Sequence, residues 1–216
     1  MQISFQYSNN QNFKAIKIAN TQNKVKGIST NIEIYKLTRD DNSFLEKLNK
    51  NISIKKICPK LREEHQQRWQ QVLDYCIQEA KESFNDTFVA VSNSRLCGIL
   101  TLFKDAGKNV DFIGISSIPS KSGEKINLAG QTLLYQLFKE AENINKGISL
   151  KAIHNGPVDV VKKYKELGFT QISASEKYTD MSCNRFKVKE QLAKFRGQIS
   201  YKSVPEEKVN LEHFLD

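Results

Sequence analysis

The feature that most constrains the fold is a run of three short apolar stretches followed directly by a long amphipathic segment. The stretches cover residues 87–91, 96–103 and 110–118, and turn-forming residues separate them. Short apolar stretches bounded by turns predict strands, and three in close succession predict an antiparallel meander. Pro119 ends the third strand. In residues 126–141 the apolar side chains recur every three or four positions, which predicts a helix.

The flanking sequence supplies further strands and helices. A strand is predicted at residues 32–37, a helix at 60–84, a strand at 148–153, a helix at 157–167, and two paired strands at 169–172 and 178–187. Gly98, inside the second strand of the meander, predicts a bulge or a close approach of another element. Trp69 lies on the apolar face of its helix and is expected to anchor the core. The fold class is therefore α/β in the α+β sense, with a mixed, mostly antiparallel sheet of six to seven strands flanked by helices.

The same patterns divide the chain into three parts. Residues 1–31 are rich in Asn, Gln, Lys and Ser, have weak periodicity, and are predicted to form a polar, loosely attached extension. Residues 32–187 contain the predicted sheet and form the main domain. Residues 188–216 are predicted to be a C-terminal helix and a charged tail.

Composition argues against several classes of protein. The longest strongly apolar run, residues 96–103, is far shorter than the ~20 residues of a spanning helix, so no membrane segment is expected. The first residues lack the charged and apolar regions of a signal peptide, which favours a cytoplasmic location. The four cysteines lie far apart and the three histidines form no ligand pair. No metal site is therefore predicted, and the cysteines are expected to be buried.

The charge of the chain allows a polyanionic ligand. Lys and Arg number 33 against 24 Asp and Glu, which gives a formal net charge of +9. Such an excess attracts nucleic acid, an acidic membrane or a phosphorylated cofactor. The lysines are scattered, and the sequence has no RNA-recognition motif or basic patch interleaved with aromatic residues. A nucleic-acid partner is therefore not indicated, and a solvated surface with one phosphate site is favoured.

Three motifs carry a resemblance to a known family. The second predicted strand includes Gly98, and the third ends in Ser-Ile-Pro before a helix that contains Gly130 and a Leu-Leu pair. Residues 160–169 read Val-Val-Lys-Lys-Tyr-Lys-Glu-Leu-Gly-Phe. In this order the motifs resemble the GNAT superfamily of N-acetyltransferases, over residues 32–187 and most strongly over 87–169.

The resemblance implies acetyl-CoA, or another acyl-CoA, as co-substrate. Its pyrophosphate would bind at the N-terminus of the helix that follows Pro119, where free amides and the helix dipole favour an anion. Its pantetheine arm would pair with the strand before Pro119. The cofactor-binding residues implied are Ser117, Ile118, Lys121, Ser122, Gly123, Lys125, Gly130 and Asn155. The family's Arg/Gln-and-glycine pattern aligns here either on Gly130 or on Ser122-Gly123, and neither alignment reproduces it fully. The alternative to a cofactor site is an ordinary strand–loop–helix with surface lysines.

Acyl transfer from a thioester to an amine sets three chemical requirements. The amine must lose a proton to a base, and Asp111 is the candidate, with Glu33 as a rival. The oxyanion needs a donor, which the amide of Ser117 or Ile118 would supply. The departing thiolate needs a proton or a hydrogen bond, and Tyr164 matches the family tyrosine that commonly provides it. Tyr164 could otherwise be a core tyrosine that packs beside its neighbouring valines.

Two functions from different classes follow. The first is an N-acyltransferase that moves an acetyl or other acyl group from acyl-CoA to a primary amine of a small molecule, peptide or protein. The second is a GNAT-like domain that has lost catalysis and serves as a basic binding module for nucleic acid or protein. The unconventional cofactor loop and the positive charge motivate this alternative. His154 is predicted to lie beside the cleft with Asn155.

Overall fold

The computed structural model describes residues 15–25, 27–105, 107–120, 122–123, 128–154 and 159–215. Within these ranges nine strands form one mixed sheet in the order β7-β8-β6-β5-β4-β3-β2-β1-β9. The strands are β1 (Ala15–Val25), β2 (Ile28–Lys36), β3 (Asp86–Ser92), β4 (Arg95–Phe103), β5 (Asn109–Ser117), β6 (Gly147–Ile153), β7 (Thr170–Ala174), β8 (Tyr178–Cys183) and β9 (Ile199–Val209). The helices are α1 (Asn42–Asn51), α2 (Ile54–Ile57), α3 (Glu63–Ala80), α4 (Ala129–Asn143), α5 (Val160–Glu166) and α6 (Arg185–Arg196). The predicted α+β class is confirmed, with more strands than the six to seven expected.

The central strands follow the predicted topology. β3, β4 and β5 form an antiparallel meander, and β7 and β8 form an antiparallel hairpin. Only the pair β5–β6 is parallel among the described strand pairs, because α4 crosses over between them. The predicted starts of the helices that become α4 and α5, residues 126 and 157, lie outside the described residues.

The terminal segments depart from prediction. Residues 15–25 were predicted to be part of a loose extension, but they form β1, which lies between β2 and β9. The apolar pattern does not reveal this strand because two of its buried side chains, Thr21 and Asn23, are polar and donate hydrogen bonds. Residues 199–209, predicted as charged tail, form the edge strand β9. Charged side chains and a proline, here Pro205, are typical of edge strands and conceal the usual alternation.

Two hydrophobic clusters cover the two faces of the sheet. One includes the buried side of α4 and α6 with residues such as Leu133 and Leu192, and the other includes α1 and α3 with Leu48 and Leu73. All four cysteines are buried, as predicted, and none of them forms a disulfide within the described residues. No helix in the described ranges has the length and apolarity required to cross a membrane.

Candidate active site

The sheet opens between its two parallel strands. β5 pairs with β6 only from Asn109 to Phe112, although β5 continues to Ser117 along β4. The register against β4 shifts between Phe112 and Gly114, so that Ile113 is the extra residue of a bulge. A bulge bends its strand and increases the local twist. The bulge therefore accounts for the separation of β5 from β6 immediately after Phe112.

The opening exposes one edge of β5. The amide of Ile118 donates to the carbonyl of Cys97 in β4 at 3.0 Å. Because hydrogen bonding alternates along an antiparallel pair, the backbone groups of Ile115 and Ser117 face the other way, toward the opening. The Ile118 amide is thus already used, and its assignment as an oxyanion donor is wrong. The Ser117 amide remains available for that role.

Trp69 reaches this edge from α3. Its indole Nε1 donates to the carbonyl of Ser117 at 2.8 Å, while the ring packs on the second cluster. The prediction of a core anchor is confirmed, but the sequence pattern did not indicate the hydrogen bond. Trp69 is the single tryptophan of the chain, so its fluorescence reports on the opening.

Two glycines let helices approach the strands beside the opening. A Cβ on Gly98 would lie 2.8 Å from Leu133 Cδ1 of α4, and β4 has a register shift next to it. The predicted close approach and bulge at Gly98 are both confirmed. On the opposite face a Cβ on Gly114 would lie 2.8 Å from the Cys76 sulfur of α3. A side chain at either position would require Leu133 of α4 or Cys76 of α3 to move.

The N-terminus of α4 lies at the end of the loop that follows β5. Its N-cap residue is Leu128, whose side chain makes no capping hydrogen bond. The first amides of a helix have no partner within the helix, and they attract anions when nothing caps them. A Cβ on Gly130, in the first turn, would meet no atom within 4 Å. Within the part of the chain that the structure describes, the predicted close approach to a protein neighbour is therefore absent, and the space beside Gly130 is open.

The loop itself rests on α2. Gly123 has a positive φ of 81°, and a Cβ there would lie 2.8 Å from the carbonyl oxygen of Ile57. Ser122 and Ser120 share a hydrogen bond of 2.7 Å between their hydroxyls. The loop conformation and its packing on α2 account for the glycine at position 123 without a ligand. Lys121, Lys125 and Asn155, also predicted to bind the cofactor, lie outside the described residues.

Tyr164 stands beside the bulge. Its ring packs edge to face on Phe112, with the centroids 5.9 Å apart, and against Phe169 at 5.6 Å. Burial raises the pKa of Tyr164 to about 12, and the nearby Cys76 thiol contributes in the same direction. Cys76 comes from α3, which packs on the other face of the sheet. The hydroxyl therefore stays protonated at neutral pH and can donate a hydrogen bond.

The candidate bases have different surroundings. Asp111 accepts a hydrogen bond from Ser149 and lines a groove with a volume of ≈ 770 Å³ on the α3 side of β5, β6 and β8. Phe112 and Leu150, the last paired residues before the strands separate, line the same groove. Its other polar and aromatic walls include Tyr75, Lys151, Tyr178 and Asp180.

Glu33 and His154 do not belong to this site. Glu33 lies on β2, three strand spacings or about 14 Å from β5. Burial acts to raise its pKa, but hydrogen bonds from Lys17 and Tyr35 outweigh burial and lower it. His154 is fixed to the β7–β8 turn, with Nε2 2.7 Å from Thr179 Oγ1 and Nδ1 3.2 Å from the Glu176 carbonyl. Glu33 is therefore excluded as the base that acts at the opening.

Comparisons with known proteins identify the fold. No protein-family model matches the sequence, and no curated protein sequence matches it. The apo structure of FdhC, a nucleotide-linked sugar GNAT, is 13% identical over 84% of this chain and 96% of its own, with a TM-score of 0.52. The PaiA N-acetyltransferase of Thermoplasma acidophilum in complex with coenzyme A is 21% identical over 71% and 98% of the two chains, with a TM-score of 0.48. A mutant of the spermidine N-acetyltransferase SpeG of Vibrio cholerae is 19% identical over 73% and 95%, with a TM-score of 0.47. The likeness to FdhC shows that this chain has the GNAT fold.

Proposed function

We propose that the protein is an N-acyltransferase that transfers an acyl group, such as acetyl, from acyl-CoA to a primary amine. One observation supports this most strongly. Among the described residues, the edge of β5 at Ile115 and Ser117 that faces the opening has no strand partner, and the N-cap residue of α4 makes no side-chain capping hydrogen bond. A strand edge pairs with an extended chain of amides, and a helix N-terminus binds phosphate. Acyl-CoA combines these two chemistries in one molecule.

The residues present fit the acyl donor. The amides of its pantetheine arm would pair with the backbone of Ile115 and Ser117. Its phosphates would contact the first turn of α4, where the open space at Gly130 admits them close to the backbone. Ser122 and Gly123 would shape the loop beside the phosphates. The proposal also includes Lys121, Lys125 and Asn155, and the two lysines would add positive charge.

The chemical step follows from the groups at the opening. The amine nitrogen attacks the thioester carbonyl carbon, a C–N bond forms, and the Ser117 amide stabilises the oxyanion. Asp111 takes the proton that the amine loses, directly or through water. The C–S bond then breaks, and the electron pair remains on sulfur. Tyr164 has a pKa of about 12. A thiol has a pKa of about 8.5. Tyr164 would therefore donate a hydrogen bond to the thiolate and keep most of its proton.

The acceptor would enter by the groove that Asp111 lines. This groove reaches the last paired residues of β5 and β6, Phe112 and Leu150, where the thioester would lie. The opposite face of the sheet is filled by α4, α5 and α6 with the first cluster. The amine would therefore reach the thioester through the groove without displacing the acyl-CoA.

The test begins with binding of the donor. The full chain is titrated with acetyl-CoA by calorimetry and by the fluorescence of Trp69, and micromolar affinity with a change in emission is expected. Thiol release is then followed with a panel of primary amines. The absence of any binding would refute the acyltransferase assignment. Binding without thiol release from any amine would favour a scaffold that has lost catalysis.

A matched pair of variants separates catalysis from folding. Tyr164→Phe removes the hydroxyl at the opening, whereas Tyr201→Phe removes one that bonds to Gln136, away from the opening. Thiol release is expected to fall only in Tyr164→Phe. An equal fall in both variants would show that the effect is structural.

A further inference from the structure

A buried asparagine from β1 holds the residue that precedes α4. Asn23 is fully buried, and its Nδ2 donates to Thr132 Oγ1 at 3.2 Å and to the Leu128 carbonyl at 3.5 Å. Thr132 in turn donates its hydroxyl and its amide to that same carbonyl, each at 3.0 Å. Three donors therefore converge on one oxygen at the start of the helix.

The backbone at this point is strained. Leu128 has a φ of 68°, in the left-handed region that leucine rarely adopts. The other non-glycine residues with positive φ in the described ranges are Asn93, Ser94 and Asn145, all polar. Strain of this kind persists only where surrounding contacts determine the conformation, and it concentrates at functional sites. Among the described residues, Asn23 and Thr132 donate hydrogen bonds to the Leu128 carbonyl.

The asparagine is itself incompletely satisfied. Its Oδ1 is buried and has no hydrogen-bond partner among the described residues. The opposite orientation of the amide would place Oδ1 against the Leu128 carbonyl, so the network determines which atom is nitrogen. An unpaired buried acceptor is costly, and a small apolar residue would avoid that cost. Stability alone therefore does not explain an asparagine at this position.

We propose that Asn23 is a positioning residue for the phosphate site at the N-terminus of α4. It acts through Leu128 and Thr132 and does not contact the ligand. By fixing the Leu128 carbonyl, it sets the direction in which the free amides of the first turn point. The inference rests on the proposed function only in naming the ligand as the pyrophosphate of an acyl-CoA.

The experiment compares two variants with a matched control. Asn23→Ala removes the amide, and Thr132→Val removes the hydroxyl while it keeps the side-chain shape. Thr21→Ala is the control, because Thr21 is also buried on β1 but donates to Ile32 of β2 instead of reaching α4. Coenzyme A and pantetheine, which lacks the phosphates, are titrated against each variant by Trp69 fluorescence. Hydrogen exchange of the Thr132 amide gives a readout that needs no ligand.

The inference predicts a specific pattern. Asn23→Ala and Thr132→Val should each weaken coenzyme A about tenfold, the effect of losing about one hydrogen bond. Pantetheine binding should be unchanged in both. The Thr132 amide should exchange faster in Asn23→Ala than in the wild type, whereas Thr21→Ala should match the wild type. Thr132→Ser, which keeps the hydroxyl, should retain wild-type affinity.

Other outcomes overturn the inference. Unchanged coenzyme A affinity in both variants, or an equal loss for pantetheine, would show that Asn23 has only a structural role. If Asn23→Ala does not fold, Thr132→Val and Thr132→Ser decide the question alone. A wild-type chain that does not bind coenzyme A would refute the proposed function instead. In that case the exchange rate at Thr132 still tests whether Asn23 fixes the helix start.

Discussion

Replacing Gly130 by alanine should change stability and ligand binding in opposite directions. The added methyl group meets no atom of the described protein within 4 Å, and the residue lies in the first turn of α4 with an ordinary φ. Alanine is favoured over glycine in helices, by about 0.5 kcal/mol if the lower end of the range is taken for a first-turn position. For a chain of this size that gain corresponds to a rise of about 1–2 °C in the unfolding midpoint.

The same methyl group would occupy the space proposed for the phosphates. A hydrogen bond from a backbone amide to a charged acceptor contributes about 1.5–3 kcal/mol. A tenfold change in affinity corresponds to about 1.4 kcal/mol. Losing one such bond therefore lowers the affinity for coenzyme A by about 10- to 100-fold. The variant should therefore be more stable than the wild type and bind the ligand less well, a combination that damage to the fold does not produce.

Calorimetric titration and thermal unfolding measure the two effects on the same samples. Gly197→Ala is a suitable control, because Gly197 has a φ of −68° and lies at the end of α6, far in sequence from the loop. Its Cβ would lie 3.3 Å from the Lys194 carbonyl, which a small shift accommodates, so the affinity should not change. Wild-type affinity in Gly130→Ala would refute the phosphate position. A loss of stability in that variant would refute the interpretation that the space is open.

Three further predictions concern catalysis, an ion-pair network and pH. Tyr164→Phe should lower the rate of thiol release about tenfold, since one hydrogen bond to the thiolate is lost, with coenzyme A affinity unchanged in calorimetry. Lys104→Met should lower the free energy of unfolding in urea by about 1–2 kcal/mol, because it leaves the half-buried Asp86 and a carboxylate of α4 without their shared cation. The exposed Lys194→Met, which also removes an ion pair, should leave the free energy of unfolding nearly unchanged, and equal effects of the two substitutions would contradict the role of burial. Burial raises the pKa of the Cys76 thiol from 9.0 to about 12, so its contribution to stability is complete below pH 9 and is lost as the pH rises toward 12. The unfolding midpoint of Cys76→Ala should therefore fall less between pH 8 and pH 10 than that of the wild type, and parallel falls would refute this linkage.

The sequence predicts those strands and helices that bury apolar side chains. The apolar periodicity of α3, the meander of β3 to β5 and the Gly168-Phe169 ending of α5 all arise from side chains that avoid water, and hydrophobic patterns report on that directly. β1 and β9 were missed for the opposite reason. Thr21 and Asn23 face inward through hydrogen bonds, and the exposed edge strand β9 has few buried side chains. A strand of this kind shows no regular spacing of apolar residues, so hydrophobic periodicity does not predict it.

The residues of the candidate site also divide into those that a local motif indicates and those that it does not. Tyr164 and Ser117 are proposed from local motifs, and in the structure the Tyr164 ring packs on Phe112 while Ser117 lies on the edge of β5 beside the opening. The hydrogen bond from Trp69 and the network of Asn23 could not be predicted, since each joins residues that are far apart in sequence. The bulge at Ile113 also lacks a local signal, because its cause is the register that β4 imposes on β5.

The opening in the sheet has an energetic consequence that links fold and function. A continued β5–β6 pair would satisfy every backbone group along both strands, whereas the opening leaves those of Ile115 and Ser117 to water or to a side chain such as Trp69. The protein thus keeps one edge of β5 without a strand partner among the described residues, although the Ser117 carbonyl accepts hydrogen bonds from Trp69 and from the Ser116 hydroxyl. A ligand that presents amides in an extended chain would pair with the remaining groups of that edge. Selection for stability alone would favour a closed sheet. The open edge is therefore best explained by binding, and the chemistry of the ligand can be inferred from the groups left unpaired.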